Sequence, residues 1–100
     1  MVFRNNRMLT AYNSGDESNE YPCDVSIAGG TIEVSYEDER CPGKRAIYTG
    51  RETSEGHFEL DCPHLSGLAT LLFYQFPGGK ILEGWWKEET DTGFWRIYLK

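Results

Sequence analysis

The feature that most constrains this chain is alternation of apolar and polar side chains, because a two-residue period puts successive side chains on opposite faces and so specifies a half-buried strand. Thr31 to Glu37 places Ile32, Val34 and Tyr36 on one face and Glu33, Ser35 and Glu37 on the other. His57 to Cys62 turns Phe58, Leu60 and Cys62 inward and His57, Glu59 and Asp61 to water. Gly93 to Lys100 sets inward Trp95, Ile97 and Leu99 against outward Phe94, Arg96, Tyr98 and Lys100. Weaker versions predict strands over Arg7 to Tyr12, Cys23 to Ala28, Lys44 to Gly50, Gly67 to Gln75 and Lys80 to Glu88. No stretch carries the period of an amphipathic helix.

Turn chemistry falls between these runs. Gly29-Gly30 is a two-residue hairpin signal, since both central positions of a type I′ turn need positive φ. Pro42-Gly43, Glu55-Gly56, Pro77-Gly78-Gly79 and Asp91-Thr92-Gly93 mark further reversals. Asn13 to Glu20, with three acids and no apolar side chain, reads as a solvated connecting loop. One hundred residues suffice for one core. The expectation is one all-β domain, an up-and-down antiparallel barrel of eight short strands, because closure covers the apolar face and removes the edges together. A two-sheet sandwich is the alternative.

Ten Lys and Arg against sixteen Asp and Glu leave a net charge of −6. With no basic cluster to neutralise phosphates, neither nucleic acid nor an anionic membrane is an expected partner. The longest mainly apolar stretch, Gly67 to Phe76, is about half of the ~20 residues a membrane-spanning helix requires. Met1-Val2-Phe3-Arg4 has no signal-peptide apolar core behind it, so the expected location is cytoplasmic. Three cysteines cannot all pair within one chain, which fits a reducing compartment.

Gly84-Trp85-Trp86 and Gly93-Phe94-Trp95 each supply a Gly-x-Trp, in which the missing Cβ lets an indole lie over backbone and plug a barrel end. The pattern resembles the calycin barrels, lipocalins and their relatives, although there the motif lies on the first strand. The resemblance implies a barrel that binds an apolar ligand and transfers no binding residue. Eight strands enclose an interior that side chains just fill, or that holds one small molecule. The bulky inward set of Val25, Ile27, Ile32, Val34, Tyr36, Tyr48, Phe58, Leu60, Leu72, Trp95, Ile97 and Leu99 predicts a filled interior. A residual pocket is expected near one mouth, edged by Tyr36, Tyr48 and one of Trp85 and Trp86, for a small apolar or aromatic ligand.

Catalytic patterns are thin. There is no nucleophile elbow, phosphate loop or nucleotide fingerprint, so the expectation is a non-enzymatic module without cofactor. His57 and His64 read as surface histidines, Glu59 and Asp61 as a solvated sheet face, and Cys62 as an inert core thiol. Cys23, Cys41, Cys62 and His64 are a conceivable zinc set, but they lack a C-x-x-C knuckle, and no metal site is expected. The stronger interaction signal is outward: Phe94, Arg96 and Tyr98 on the last strand combine residue types enriched in protein interfaces. They point to a protein partner or a homodimer.

Overall fold

The computed structural model describes residues 1–13, 15, 18–38 and 42–100. Eight antiparallel strands follow one another around a closed barrel. They are β1 (Val2–Tyr12), β2 (Ser18–Ala28), β3 (Thr31–Glu37), β4 (Arg45–Ser54), β5 (His57–Cys62), β6 (Gly67–Phe76), β7 (Gly79–Glu88) and β8 (Asp91–Leu99). Pairing of β8 with β1, from Arg7 opposite Tyr98 to Tyr12 opposite Gly93, closes the wall. The sandwich is therefore excluded, and the only helical element among the described residues is a 3-10 turn at Pro63–Leu65.

The β2–β3 hairpin forms as the sequence predicts: Gly29 and Gly30 have φ of 59° and 79° and lie between the register partners Ala28 and Thr31. The β7–β8 turn does not. Glu88 pairs with Asp91, so the reversal is at Glu89-Thr90, and Asp91-Thr92-Gly93 belongs to β8. Glu89 takes φ 40°, a left-handed conformation that sequence alone gives little reason to place on a glutamate. The acidic loop after β1 is also shorter than the composition suggests, because Asn19 and Glu20 pair with Thr10 and Leu9.

β1 begins at Val2 rather than Arg7 because a bulge restores the inward face across the polar run Arg4-Asn5-Asn6-Arg7. Asn5 takes φ 54°, register shifts between Phe3 and Asn6, and Phe3, Asn6, Met8 and Thr10 are buried. The interior is filled by Met8, Val25, Val34, Tyr48, Leu71, Leu82, Trp95 and Ile97. Leu71, not Leu72, is the inward residue of that pair on β6, while Ile27, Tyr36 and Leu99 are partly buried against the core. Cys23 and Cys62 are buried free thiols on β2 and β5, and Cys41 lies outside the described residues.

Of the two Gly-x-Trp glycines, Gly93 makes room for an indole, that of Trp86, whereas a Cβ on Gly84 would meet the backbone of Thr70 and Leu71. A Cβ on Gly93 would stand 2.6 Å from the Trp86 ring and 2.0 Å from the Ala11 carbonyl oxygen, so only glycine lets this indole lie against the β1–β8 seam. Trp86 and Trp95 then stack inside the barrel with centroids 6.1 Å apart. No helix among the described residues is long and apolar enough to cross a membrane.

Candidate functional site at one mouth of the barrel

In an up-and-down barrel alternate connections share one end, so the β1–β2, β3–β4, β5–β6 and β7–β8 connections surround the same mouth. A pocket of about 130 Å³ opens there, lined by Thr10 and Tyr12 from β1, Tyr21 from β2, Tyr36 and Glu37 from β3, Trp86 and Glu88 from β7, and Asp91 and Trp95 from β8, with Asp38 just beyond β3. These side chains converge because five strands, β1, β2, β3, β7 and β8, bring their ends together at this mouth.

The aromatic rings form a connected basket. Tyr12 meets Trp86 edge-on at 5.4 Å, Trp86 stacks on Trp95, Tyr36 meets Trp95 edge-on at 6.0 Å, and Tyr21 lies 6.2 Å from Tyr36. Such contacts hold the rings in fixed orientations, which lowers the ordering cost when something enters. Below them Tyr48 packs edge-on against Trp95 at 5.0 Å.

Glu88 sits at the junction of basket and core. Its Oε2 accepts a short hydrogen bond from the Tyr48 hydroxyl and a weaker one, at 3.4 Å, from the Tyr36 hydroxyl. Burial, then the hydrogen bond to Glu88 and its charge, hold the Tyr48 phenol far above the ordinary tyrosine range. The proton therefore stays on Tyr48, which orients the carboxylate as a fixed acceptor.

Among the described residues, two buried side-chain polar atoms are unsatisfied. Trp86 is 3% exposed and Thr10 4%, yet neither Trp86 Nε1 nor Thr10 Oγ1 has a hydrogen-bond partner among the described residues. Both residues line the pocket. A buried donor without a partner costs about 1–3 kcal/mol, so such atoms in a folded protein call for an explanation. Comparison with protein-family models, with curated proteins and with solved structures gives no match.

The residues singled out from the sequence separate into two places. Tyr36 and Trp86 line the mouth, and Tyr48 lies beneath it, joined to it through Glu88. Trp85 is on the outer wall, 50% exposed, with its register partner Phe94 37% exposed beside it. Next along β8, Arg96 bonds Glu83 at 2.9 Å and sits 5.9 Å from the Phe94 ring centre, while Tyr98 lies under the Arg7 guanidinium at 4.3 Å. Sequence reasoning missed Thr10, Tyr12, Tyr21, Asp38, Glu88 and Asp91. The available signal was the pair of tyrosines, Tyr12 and Tyr21, that bracket the acidic loop.

Among the described residues, the histidines and cysteines considered for catalysis or metal do not gather with Glu59 and Asp61, which share the outer face of β5. Glu59, Asp61 and His64 are exposed, His57 is on the outer face of β5, and Cys62 points into the core. No group of three or more His, Cys, Asp or Glu among the described residues is arranged to hold a metal ion. Burial, reinforced by the neighbouring Asp24 charge, pushes the Cys23 thiol up to about 12, so it carries no thiolate near neutrality.

Proposed function

We propose that this chain is a non-enzymatic binding protein that holds one small aromatic molecule in the barrel mouth. The observation that carries the reading is the pocket at the mouth, into which the rings of Tyr12, Tyr21, Tyr36, Trp86 and Trp95 converge. A one-ring ligand packs against rings that their mutual contacts already hold in place, so burial of its apolar surface is offset by little ordering cost. Size agrees with a one-ring molecule: about 130 Å³ is close to the ~150 Å³ of an engineered apolar cavity that accepts benzene. The Gly-x-Trp likeness to calycin barrels supports the same reading at the level of architecture.

Tryptophan fluorescence titrated with one-ring phenols tests it, since Trp86 and Trp95 both line the pocket. Saturable quenching that weakens at least tenfold in Trp86→Phe is the expected result. A response unchanged in that variant would refute the assignment.

A second reading, contact with a protein partner or a second copy of this chain, is favoured by the outer wall. Trp85, Phe94 and Leu68 expose large apolar surface, with Leu68 at 51%. A contiguous apolar patch of this kind is a common interface core. Light scattering over a wide concentration range tests the self-association branch, and a strict monomer removes it.

A further inference from the structure

The outer wall carries complementary features on the two sides of β6. Exposed Leu68 has Asp61 of β5 and Lys87 of β7 as its register partners. Two residues along, Thr70 lies opposite Glu59, and the register that pairs Ala69 with Trp86 and Leu72 with Glu83 sets Trp85 on its other side. That second row continues to Arg51 beyond Glu59 and to Phe94 beyond Trp85. One flank of β6 therefore exposes Asp61, Glu59 and Arg51, and the other exposes Lys87, Trp85 and Phe94. A groove of about 790 Å³ opens on this wall, lined on its β4–β5 side by Thr49, Arg51, Glu59 and Asp61.

Asp61 and Lys87 are two strand spacings apart, about 10 Å, which is too far to pair within one chain. Among the described residues neither takes part in an ion pair, and neither do Glu59 and Arg51. A two-fold axis along β6 exchanges the two flanks, because in an isologous contact residue i meets j and j meets i. An axis along β5 would set Asp61 against Asp61 and Glu59 against Glu59, and one along β7 would set Lys87 against Lys87. On β6 the residues at the axis are Leu68 and Thr70, which carry no charge. We infer that this wall joins two copies of the chain about an axis that follows β6: Asp61 meets the partner's Lys87, Phe94 meets the partner's Arg51, and Trp85 enters the partner's groove. Opposite charges and a guanidinium over a ring then face each other wherever the flanks meet. This rests on the self-association branch of the second reading. A foreign protein would have to present the same order of acidic, apolar and basic groups reversed, whereas a second copy does so by symmetry.

Charge reversal and mixing test it, read by sedimentation equilibrium. Asp61→Lys and Lys87→Asp each convert two attractive pairs of the dimer into two like-charge pairs, and each should weaken dimerisation about tenfold or more. Both positions are exposed, so circular dichroism should show the fold intact in each variant. An equimolar mixture of the two variants restores attraction at both pairs, and should form a heterodimer within about threefold of the wild-type affinity. Failure of the mixture to associate, or indifference of a wild-type dimer to both reversals while Trp85→Lys dissociates it, would overturn the axis and leave self-association standing. A wild-type chain that stays monomeric over the whole concentration range would overturn both and leave this wall to a foreign protein.

Discussion

The side-chain oxygen of Asn6 accepts the backbone N–H of Lys100 at 3.0 Å, joining the beginning of the barrel to its end from inside the wall. The Asn6 amide nitrogen meanwhile donates to the Phe3 carbonyl at 2.8 Å and the Cys23 carbonyl at 3.1 Å. One buried side chain thus satisfies backbone groups around the β1 bulge, on β2 and just past β8. Replacing Asn6 by Leu should cost about 2–4 kcal/mol, because three backbone groups lose a partner together. Urea unfolding measures this, and a loss within experimental error would show that the bulge is held by other contacts.

Gly93→Ala should destabilise the barrel by more than about 2 kcal/mol, since the new methyl meets both the Ala11 carbonyl and the Trp86 ring. It should also alter the near-UV circular dichroism of the stacked indoles. Gly78→Ala is the control: its Cβ would meet nothing nearer than 3.7 Å, and its effect should stay within about 0.5 kcal/mol.

The buried thiol gives a pH dependence with a definite sign. Cys23 is protonated in folded and unfolded states below its ordinary value of 9.0, and its folded value is about 12. Between the two the unfolded chain loses the proton and the folded chain keeps it, so stability is fully present below pH 9 and falls as pH rises, by up to about 1.4 kcal/mol per unit. Tyr48, raised for the same reason of burial, adds to the slope at higher pH. Chemical unfolding at stepped alkaline pH should show a shallower decline in Cys23→Val. A slope identical to wild type would remove Cys23 from the account.

Trp85→Lys should leave stability within about 0.5 kcal/mol, because the ring is on the outer wall and half exposed. If wild type self-associates, this variant should dissociate it to monomer in light scattering. Persistence of the dimer would place the interface elsewhere.

Chelation should leave the melting temperature unchanged, as Cys23 and Cys62 sit on separate strands and His64 is exposed. Stoichiometric zinc in purified protein, with a large fall in melting temperature on chelation, would contradict this.

Alternation made the wall legible: Thr31 to Glu37 and His57 to Cys62 are strands with the bounds their patterns imply. It failed where geometry departs from a two-residue period. The bulge at Asn5 hid the first half of β1, and turn-like Asp91-Thr92-Gly93 drew the reversal away from Glu89-Thr90. Leu71-Leu72 offers two equal candidates for one inward position, which only registry with neighbouring strands resolves. The mouth is half legible in the sequence, through Tyr36 on the clearly alternating Thr31 to Glu37 run and through the Trp85-Trp86 pair, of which one must face in. Nothing in the sequence marks Glu88 or Asp38 for the mouth, since their burial depends on which strand ends meet around the barrel.

The most direct test is the indole N–H region of a proton–nitrogen correlation spectrum of the three tryptophans, recorded while a one-ring phenol is added. The Trp86 resonance, identified by its absence in Trp86→Phe, should move saturably as a second ring packs against the indole that lines the pocket, while that of outward Trp85 stays in place. A Trp86 signal that never moves with the phenol, or a shift confined to Trp85, would contradict ligand binding in the mouth.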